Sequence, residues 1–347
     1  MRVDWDLPDT IECIEIPDRE TWLKWRTPNI GASEAPGLFN GVHPRLSAFR
    51  LFGLKTGQIE DDFPEAVIDG NSISFPVTDR GLMLESVAIE AAQKLMPHWQ
   101  INGNPTKGGH WFRHKKHRIA STPDTFIFSP DEPGVGTMQI KVVADMVFRK
   151  NWMPDGFPEP PLWVVIQAML DAALSGCSYA YVGAFVIGDF TAKFYLFRVP
   201  FKPAIIAKTF VLVDEFWARV ASGKNYDPNF STDADAIAAL YGDDNGSIVS
   251  LTGEKSDRMK EILVNREVYK AFEKTGSDAE KSRKLLDAEI VYLLGNATGA
   301  TLSDGRIVLA PTTKRMGYEV KPSSYRSVKI KASGVNPQSL VEMPESF

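Results

Sequence analysis

The sequence predicts an α/β protein in which helices flank a central mixed β-sheet. Three observations lead there. Some segments repeat apolar residues at helical spacing and others alternate them, the two kinds take turns over residues 81–222, and prolines and glycines fall between them. From Gly81 to Met96, Leu84, Ala88, Ala91 and Leu95 form an apolar stripe, with Glu90 and Lys94 as an exposed i,i+4 pair. Residues 118–128 and 136–143 read as two strands separated by Ser-Pro-Asp-Glu-Pro-Gly. A loop with Pro154, Pro158, Pro160 and Pro161 leads into a strongly apolar helix over 162–175. Two β-rich runs, 179–187 and 192–199, join across Gly188-Asp189, and a helix over 202–222 closes the block. Upstream, residues 20–57 read as short helices broken by Pro28, Gly31 and Gly53.

Residues Gly223–Gly246 have the small, polar, acidic composition of a linker, with one helical piece at Asp233–Leu240. Beyond them the pattern predicts helices over 254–274 and 277–294, the second carrying Leu286, Ile290 and Leu293 on one face. Asp304-Gly305 between β-like runs signals a hairpin. The tail 312–333 is basic and polar, with Lys314, Arg315, Lys321, Arg326, Lys329 and Lys331. A boundary near residue 230 follows. It separates a core, 1–230, from an extension, 231–347, made of a helical hairpin and a β-hairpin.

The 347 residues carry 39 Lys and Arg against 44 Asp and Glu, a net charge of −5. That argues against a non-specific DNA coat and leaves room for a local basic channel. No stretch approaches the roughly 18–20 apolar residues of a membrane span, so no membrane partner is expected. Met1–Pro17 is acidic, the opposite of a targeting peptide. Cys13 and Cys177 offer neither a disulfide framework nor a zinc pattern. A soluble protein of a reducing compartment is the expectation.

Chemistry concentrates in a few places. Thr122-Pro123-Asp124 precedes Gln139-Ile140-Lys141 by one turn, and strand alternation puts Gln139 and Lys141 on one face and Ile140 on the other. A carboxylate, a second oxygen ligand and an ammonium on one patch can hold Mg²⁺ and position water. An ordinary hairpin with exposed polar residues has the same spacing. Glu85 shares a helix face with Ala88, Ile89 and Ala92, where an ionised carboxylate needs a metal or a partner such as arginine. Gln167 lies within the apolar helix and needs hydrogen-bond partners. Arg26 with Gly31-Ala32-Ser33-Glu34 joins a guanidinium to a helix N-terminus, an anion-binding arrangement, although Ser33 also reads as a plain N-cap. His110, His114 and His117 fall in a segment read as loop entering a strand, which gives no common face for a metal. The basic run Arg113–Arg118 fits either DNA-backbone contact or a solvated surface. Trp22, Trp25 and Trp152 fit either base stacking or core anchoring.

In order along the chain, Arg26, Ile30–Glu34, Gly41, Lys55-Thr56-Gly57, Gly81–Glu85, Ser121–Asp124, Gln139–Lys141 and the Trp163–Gln167 helix resemble the YqaJ-type viral recombinases. That is the phage lambda exonuclease family, within the PD-(D/E)XK nuclease superfamily, and the match covers residues 20–222. The resemblance implies a restriction-endonuclease-like core and a phage or prophage recombination enzyme in the bacterial cytoplasm. It implies Mg²⁺ (or Mn²⁺), one or two ions, held by Glu85, Asp124, Gln139 and the Ile140 carbonyl, with Lys141 as the catalytic lysine. Arg26, Ser33, Thr122 and Gln167 match the positions that hold a 5′-phosphate. The implied activity is 5′-to-3′ exonuclease action on double-stranded DNA, leaving 3′ single strands for an annealing protein. A homotrimeric ring is the implied assembly. Gln139 departs from the family's usual Glu, which keeps open an endonuclease and a catalytically weakened DNA-binding protein.

Overall fold

The computed structural model describes residues 7–60, 67–69, 72–272, 277–315 and 323–331. Packing divides the chain into two units, Met1–Lys55 with Asp61–Asn225, and Thr56–Glu60 with Tyr226–Phe347. The first unit begins with β1 (Ile11–Glu15), α1 (Arg19–Arg26), β2 (Ile30–Gly31), a 3-10 turn (Ala35–Leu38) and α2 (Ala48–Lys55). It continues through β3 (Val67–Asp69), β4 (Ser72–Ser74), α3 (Val77–Leu95), β5 (Gln100–Gly103), β6 (His110–His114), β7 (Ile119–Ser121) and β8 (Thr125–Phe128). It ends with β9 (Gly136–Ala144), α4 (Asp145–Asn151), α5 (Leu162–Leu174), β10 (Tyr179–Ile187), β11 (Ala192–Val199) and α6 (Pro203–Ser222).

The central sheet has the order β11-β10-β9-β8-β5. β9 and β10 run parallel, with Gln139 opposite Val182 and Lys141 opposite Ala184. The other pairs are antiparallel. A parallel pair needs a crossover, which α4 and α5 supply. This is the mixed α/β sheet read from the sequence. Alternation along β9 divides its side chains between two environments. Met138 and Ile140 join Ala88 and Ala92 of α3 in an apolar cluster with Ile127, Tyr179 and Phe185. Gln139 and Lys141 meet Gln167 of α5.

α5 follows the proline loop, with Pro161 at its N-cap, and buries Val164, Ile166, Ala168, Met169, Leu170, Ala172 and Leu174. A helix apolar around most of its girth belongs inside a fold. Its two buried polar residues, Gln167 and Asp171, lie one turn apart and share a face.

Several local expectations change. The run 118–128 is two strands, because Pro123 has no N–H for a ladder; β7 joins a second sheet, β1-β6-β7-β2, and β8 joins the central one. Gly53 breaks nothing and is buried within α2. The stripe of α3 is centred on Ala88 and Ala92, while Leu95 is exposed. Residues 110–114 are a strand, paired with β1 on one side and β7 on the other.

The basic run is largely engaged within the fold. Arg113 pairs with Glu12 at 3.2 Å, Lys115 donates to the Asp9 carbonyl, and Arg118 lies 3.5 Å over the Trp217 ring while donating to the Pro28 carbonyl.

The second unit contains α7 (Ala234–Leu240), β12 (Ile248–Ser250), α8 (Gly253–Phe272), α9 (Ser277–Leu294), β13 (Gly299–Thr301), β14 (Ile307–Leu309), β15 (Thr312–Arg315), β16 (Ser323–Arg326) and β17 (Lys329–Lys331). Ile290 and Leu294 pack with Met259, Ile262 and Leu263 of α8 and with Val308, and Leu286 and Leu293 rest against that cluster. This unit therefore has a core of its own. Gly305, at φ 84°, turns the chain between β13 and β14, which pair antiparallel. Lys321 of the basic tail lies outside the described residues. Among the described residues, no helix is long and apolar enough to cross a membrane.

One packing constraint is directly testable. A Cβ on Gly136 would sit 2.1 Å from the Tyr179 ring. That ring is fully buried, and its hydroxyl accepts from the Ser129 N–H and donates to the Ile127 carbonyl. Gly136→Ala should cost about 1–3 kcal/mol of stability, read by urea unfolding. A wild-type midpoint would show that the ring yields.

Candidate active site

A cavity of about 430 Å³ in the first unit is lined by Arg26, Ser33, Glu85, Thr122, Asp124, Gln139, Ile140, Lys141 and Gln167. Every site residue singled out in the sequence thus borders one space. Asp171, Trp22 and Asn29, which the sequence reading left out of the site, border it too.

Asp124 owes its place to the break between β7 and β8. Buried Asn104 staples that break: its amide donates to the Pro123 and His110 carbonyls, its backbone N–H donates to the Asp124 carbonyl, and its side-chain oxygen accepts from the His110 N–H. The Asp124 carboxylate then accepts from the Ile140 N–H at 2.7 Å and from the Gln139 side-chain amide. Gln139 in turn accepts from the Gln167 amide at 2.8 Å, and the Gln167 oxygen accepts from Lys141 Nζ at 3.1 Å. Lys141 also stands 5.4 Å from the Trp163 ring centre.

These groups are withdrawn from water and close together, and their ionisation reflects it. Burial, and then the negative charge of Asp124, push Glu85 up to about 7 against the pull of Lys141. Burial also raises Asp124, opposed by Lys141 and by the Ile140 and Gln139 donors. Burial lowers Lys141, while Asp124, Asp171 and Glu85 pull it back. Among the described residues, the charged groups that act on Glu85 are thus Asp124 and Lys141, and no arginine is one of them.

The other side of the cavity carries the opposite balance. Arg26, in the last turn of α1, lies 4.8 Å over the Trp22 ring and 3.5 Å from Glu34. Glu34 is held more firmly by Lys55 at 2.9 Å and by the Gly31 N–H at 2.7 Å. Burial works against the Glu34 charge, yet Lys55, Arg26 and Gly31 together keep its carboxyl below the usual range. The expected helix start at Ser33 is only the four-residue 3-10 turn, with Glu34 as its N-cap. Trp22 Nε1 donates to the Thr122 hydroxyl at 2.9 Å.

Asp171 has a detectable signal in the sequence, since it stands one turn after Gln167 in an otherwise apolar helix. One of its oxygens accepts from Ser121 Oγ at 2.6 Å, and the other is buried without a partner. Burial pushes it up to about 7, against the Ser121 hydrogen bond. The remaining candidates fall outside this cavity. His117 stacks on Phe210, His114 meets both rings at a tilt, and His117 Nδ1 lies 2.8 Å from Asp214. Trp25 packs on Trp111, which also lines the cavity, and Trp152 is buried against Phe148. Both cysteines are free thiols that burial pushes up to about 11.

Among the described residues, no three His, Cys, Asp or Glu side chains gather into a metal cluster. The oxygen set here is instead two carboxylates, Glu85 and Asp124, beside the Ile140 carbonyl. Mg²⁺ is commonly held by one or two carboxylates, with water and substrate oxygens completing the shell. The negative charge of Asp124 also opposes ionisation of Glu85, which a nearby cation would relieve. The donor set suits a hard divalent ion.

No family model and no curated protein matches this chain. Among solved structures it is similar to an alkaline exonuclease, LHK-Exo, from Laribacter hongkongensis, at 16% identity and a TM-score of 0.39, over 59% of this chain and 94% of that one. LHK-Exo in complex with dAMP gives 17% identity and a TM-score of 0.39 over the same shares. SSO0001 gives 11% identity and a TM-score of 0.30, over 62% of this chain and 91% of that one.

Asp171 makes a pH prediction. Its proton is held more tightly in the folded chain than in the unfolded one, so its stabilising contribution is complete below about pH 4 and is lost as pH rises towards 7. Asp171→Asn keeps an oxygen for Ser121 and removes the charge. Relative to wild type, the variant should gain stability between about pH 5 and pH 8 in urea unfolding. A stability difference independent of pH would mean that Asp171 does not titrate in this range.

Proposed function

We propose that this chain is a Mg²⁺- or Mn²⁺-dependent deoxyribonuclease that degrades double-stranded DNA from its 5′ ends, leaving 3′ single strands. The supporting observation is the single cavity that joins Glu85, Asp124, Gln139 and Lys141 to Arg26, Ser33 and Thr122. These residues fall within 1–230, which we assign as the nuclease core, with 231–347 as an extension.

Phosphodiester hydrolysis needs an activated water and stabilisation of the charge that develops on the phosphoryl and leaving oxygens. Glu85, Asp124 and the Ile140 carbonyl would hold the divalent ion, which supplies that charge stabilisation and makes bound water more acidic. Lys141 orients the water or carries its proton, and its lowered pKa makes the neutral amine more accessible. Gln139 contributes an amide where a carboxylate would add charge, so one ion is favoured over two. Arg26, Ser33 and Thr122 all donate, which suits a terminal phosphate. A dianionic end makes more charge-assisted contacts than an internal monoanionic phosphate, and such a pocket would select ends. A trimeric ring around the duplex and a single-strand annealing partner rest on the sequence resemblance.

A linear duplex labelled at either end, with 5′-phosphate or 5′-hydroxyl and with Mg²⁺ or Mn²⁺, tests this reading. Asp124→Ala and Lys141→Ala should abolish cleavage in folded protein. Arg26→Ala should slow work on 5′-phosphorylated ends roughly ten- to a hundred-fold, the equivalent of one charge-assisted contact of about 1.5–3 kcal/mol, and barely change 5′-hydroxyl ends. Cleavage of closed circular duplex would favour an endonuclease. DNA binding without cleavage in either metal would leave a binding protein.

A further inference from the structure

The polar contacts of Gln139 and Gln167 run in one direction. Lys141 Nζ donates to the Gln167 oxygen at 3.1 Å, the Gln167 nitrogen donates to the Gln139 oxygen at 2.8 Å, and the Gln139 nitrogen donates to Asp124. An ammonium can only donate and a carboxylate can only accept, so both ends of the chain are fixed by chemistry. Turning either amide over would set N–H against N–H on one side and oxygen against oxygen on the other. Both amides are buried, at 3% and 6% exposure, where an unmet polar group is costly. The orientation of each is therefore set by the other.

We infer that Gln139 and Gln167 form a one-way amide relay from Lys141 to Asp124, which keeps these two charged groups in place without help from a cation. The inference deepens the nuclease reading, because it takes Lys141 and Asp124 as the working groups. Two consequences follow. The Gln139 nitrogen, not its oxygen, faces Asp124, so Gln139 lends its oxygen to a cation there only by turning over and giving up its bonds to Asp124, Gln167 and the Ile140 carbonyl. Gln167 has its oxygen and one of its two N–H groups engaged inside the relay, and we assign it to positioning Lys141.

A carboxylate at position 139 would still accept from Gln167 but would face Asp124 with like charge. Gln139→Glu should therefore make assembly of the site depend on a cation. Thermal unfolding of the full chain, in EDTA and in excess Ca²⁺, reads this without any catalytic assay. Wild type should show only the rise that Ca²⁺ binding at Glu85 and Asp124 gives. Gln139→Glu should melt several degrees lower in EDTA and recover in Ca²⁺. Gln167→Glu is the second variant. It keeps an oxygen for Lys141 but cannot donate to Gln139, which then turns its nitrogen to position 167 and its oxygen to Asp124. Its Ca²⁺ shift should also exceed that of wild type. Gln167→Met, which breaks the relay without adding charge, should melt lower by the same amount in both buffers.

The relay is overturned if neither glutamate variant responds to Ca²⁺ more than wild type does. The same shifts in a protein that cleaves no DNA would leave the relay standing and overturn the nuclease reading instead. On an active enzyme, a Gln167→Met loss of kcat that is equal on 5′-phosphate and 5′-hydroxyl ends supports positioning of Lys141. A loss confined to 5′-phosphate ends overturns it in favour of direct phosphate contact.

Discussion

The two-residue alternation of the strand Gly136–Ala144 is the constraint on which the site depends. Its even positions, Met138 and Ile140, belong to the apolar cluster under α3, and its odd positions, Gln139 and Lys141, belong to the cavity. A slip of one residue would exchange the two sets, placing an amide and an ammonium among apolar side chains and two aliphatic groups beside Asp124. Pairing on both sides prevents this. Gly136 lies opposite Tyr179 in the parallel neighbour, and Met138 lies opposite Thr125 in the antiparallel one, whose hydroxyl also donates to the Met138 carbonyl. Gly183 adds a second lock, since a Cβ there would stand 2.5 Å from the Phe194 ring and 3.1 Å from Ile140. Core packing and site geometry are thus consequences of one register.

That register gathers charges of unequal number. Glu85, Asp124 and Asp171 surround one ammonium, Lys141, and both Glu85 and Asp171 are pushed up to about 7. Arg26, on the same cavity, shares the carboxylate Glu34 with Lys55, and that carboxylate is held below its usual range. The acids outnumber the ammonium beside them, and Arg26 is only partly matched by Glu34. A cation would ease the repulsion among the acids and an anion would suit Arg26, which is the pairing that the proposed nuclease activity requires. Isolated buried charge is expensive. In the first unit much of that cost falls at the cavity, where the α5 helix, apolar nearly everywhere else, keeps Gln167 and Asp171.

How much of this the sequence discloses depends on the range of the interaction. Glu85, Asp124 and Lys141 are legible because each breaks a local rule: a carboxylate on an apolar helix face, a carboxylate behind a proline, a lysine alternating with a core isoleucine. The helices α5, α6 and α9 and the strands β10 and β11 are legible from periodicity alone. The break at Pro123 is visible as a residue, but its sorting of β7 and β8 into different sheets depends on β2 beside β7 and on β1 beside β6, pairings remote in sequence. Asn104 is invisible for the same reason, because its partners at Pro123 and His110 lie on other elements. The basic run Arg113–Arg118 looks like a surface until β1, Pro28 and Trp217 supply its partners. Gly53 misleads in the opposite sense, since a burial site within α2 outweighs glycine's low helix propensity.

Trp22 ties together the donors on the basic side of the cavity. An indole N–H only donates, so its bond to Thr122 uses one of the hydroxyl's acceptor positions and leaves the hydroxyl proton to be given elsewhere. The face of the same ring lies 4.8 Å from the Arg26 guanidinium, which electrostatic attraction to the π-system helps to hold. Glu34 restrains that guanidinium only at 3.5 Å, because its firmer contacts are spent on Lys55 and the Gly31 N–H. Arg26 is therefore positioned by an uncharged ring and only partly neutralised by its carboxylate neighbour. One aromatic side chain thus sets a cationic donor and a neutral donor on the same cavity without cancelling either. This arrangement favours a doubly charged anion over a neutral ligand.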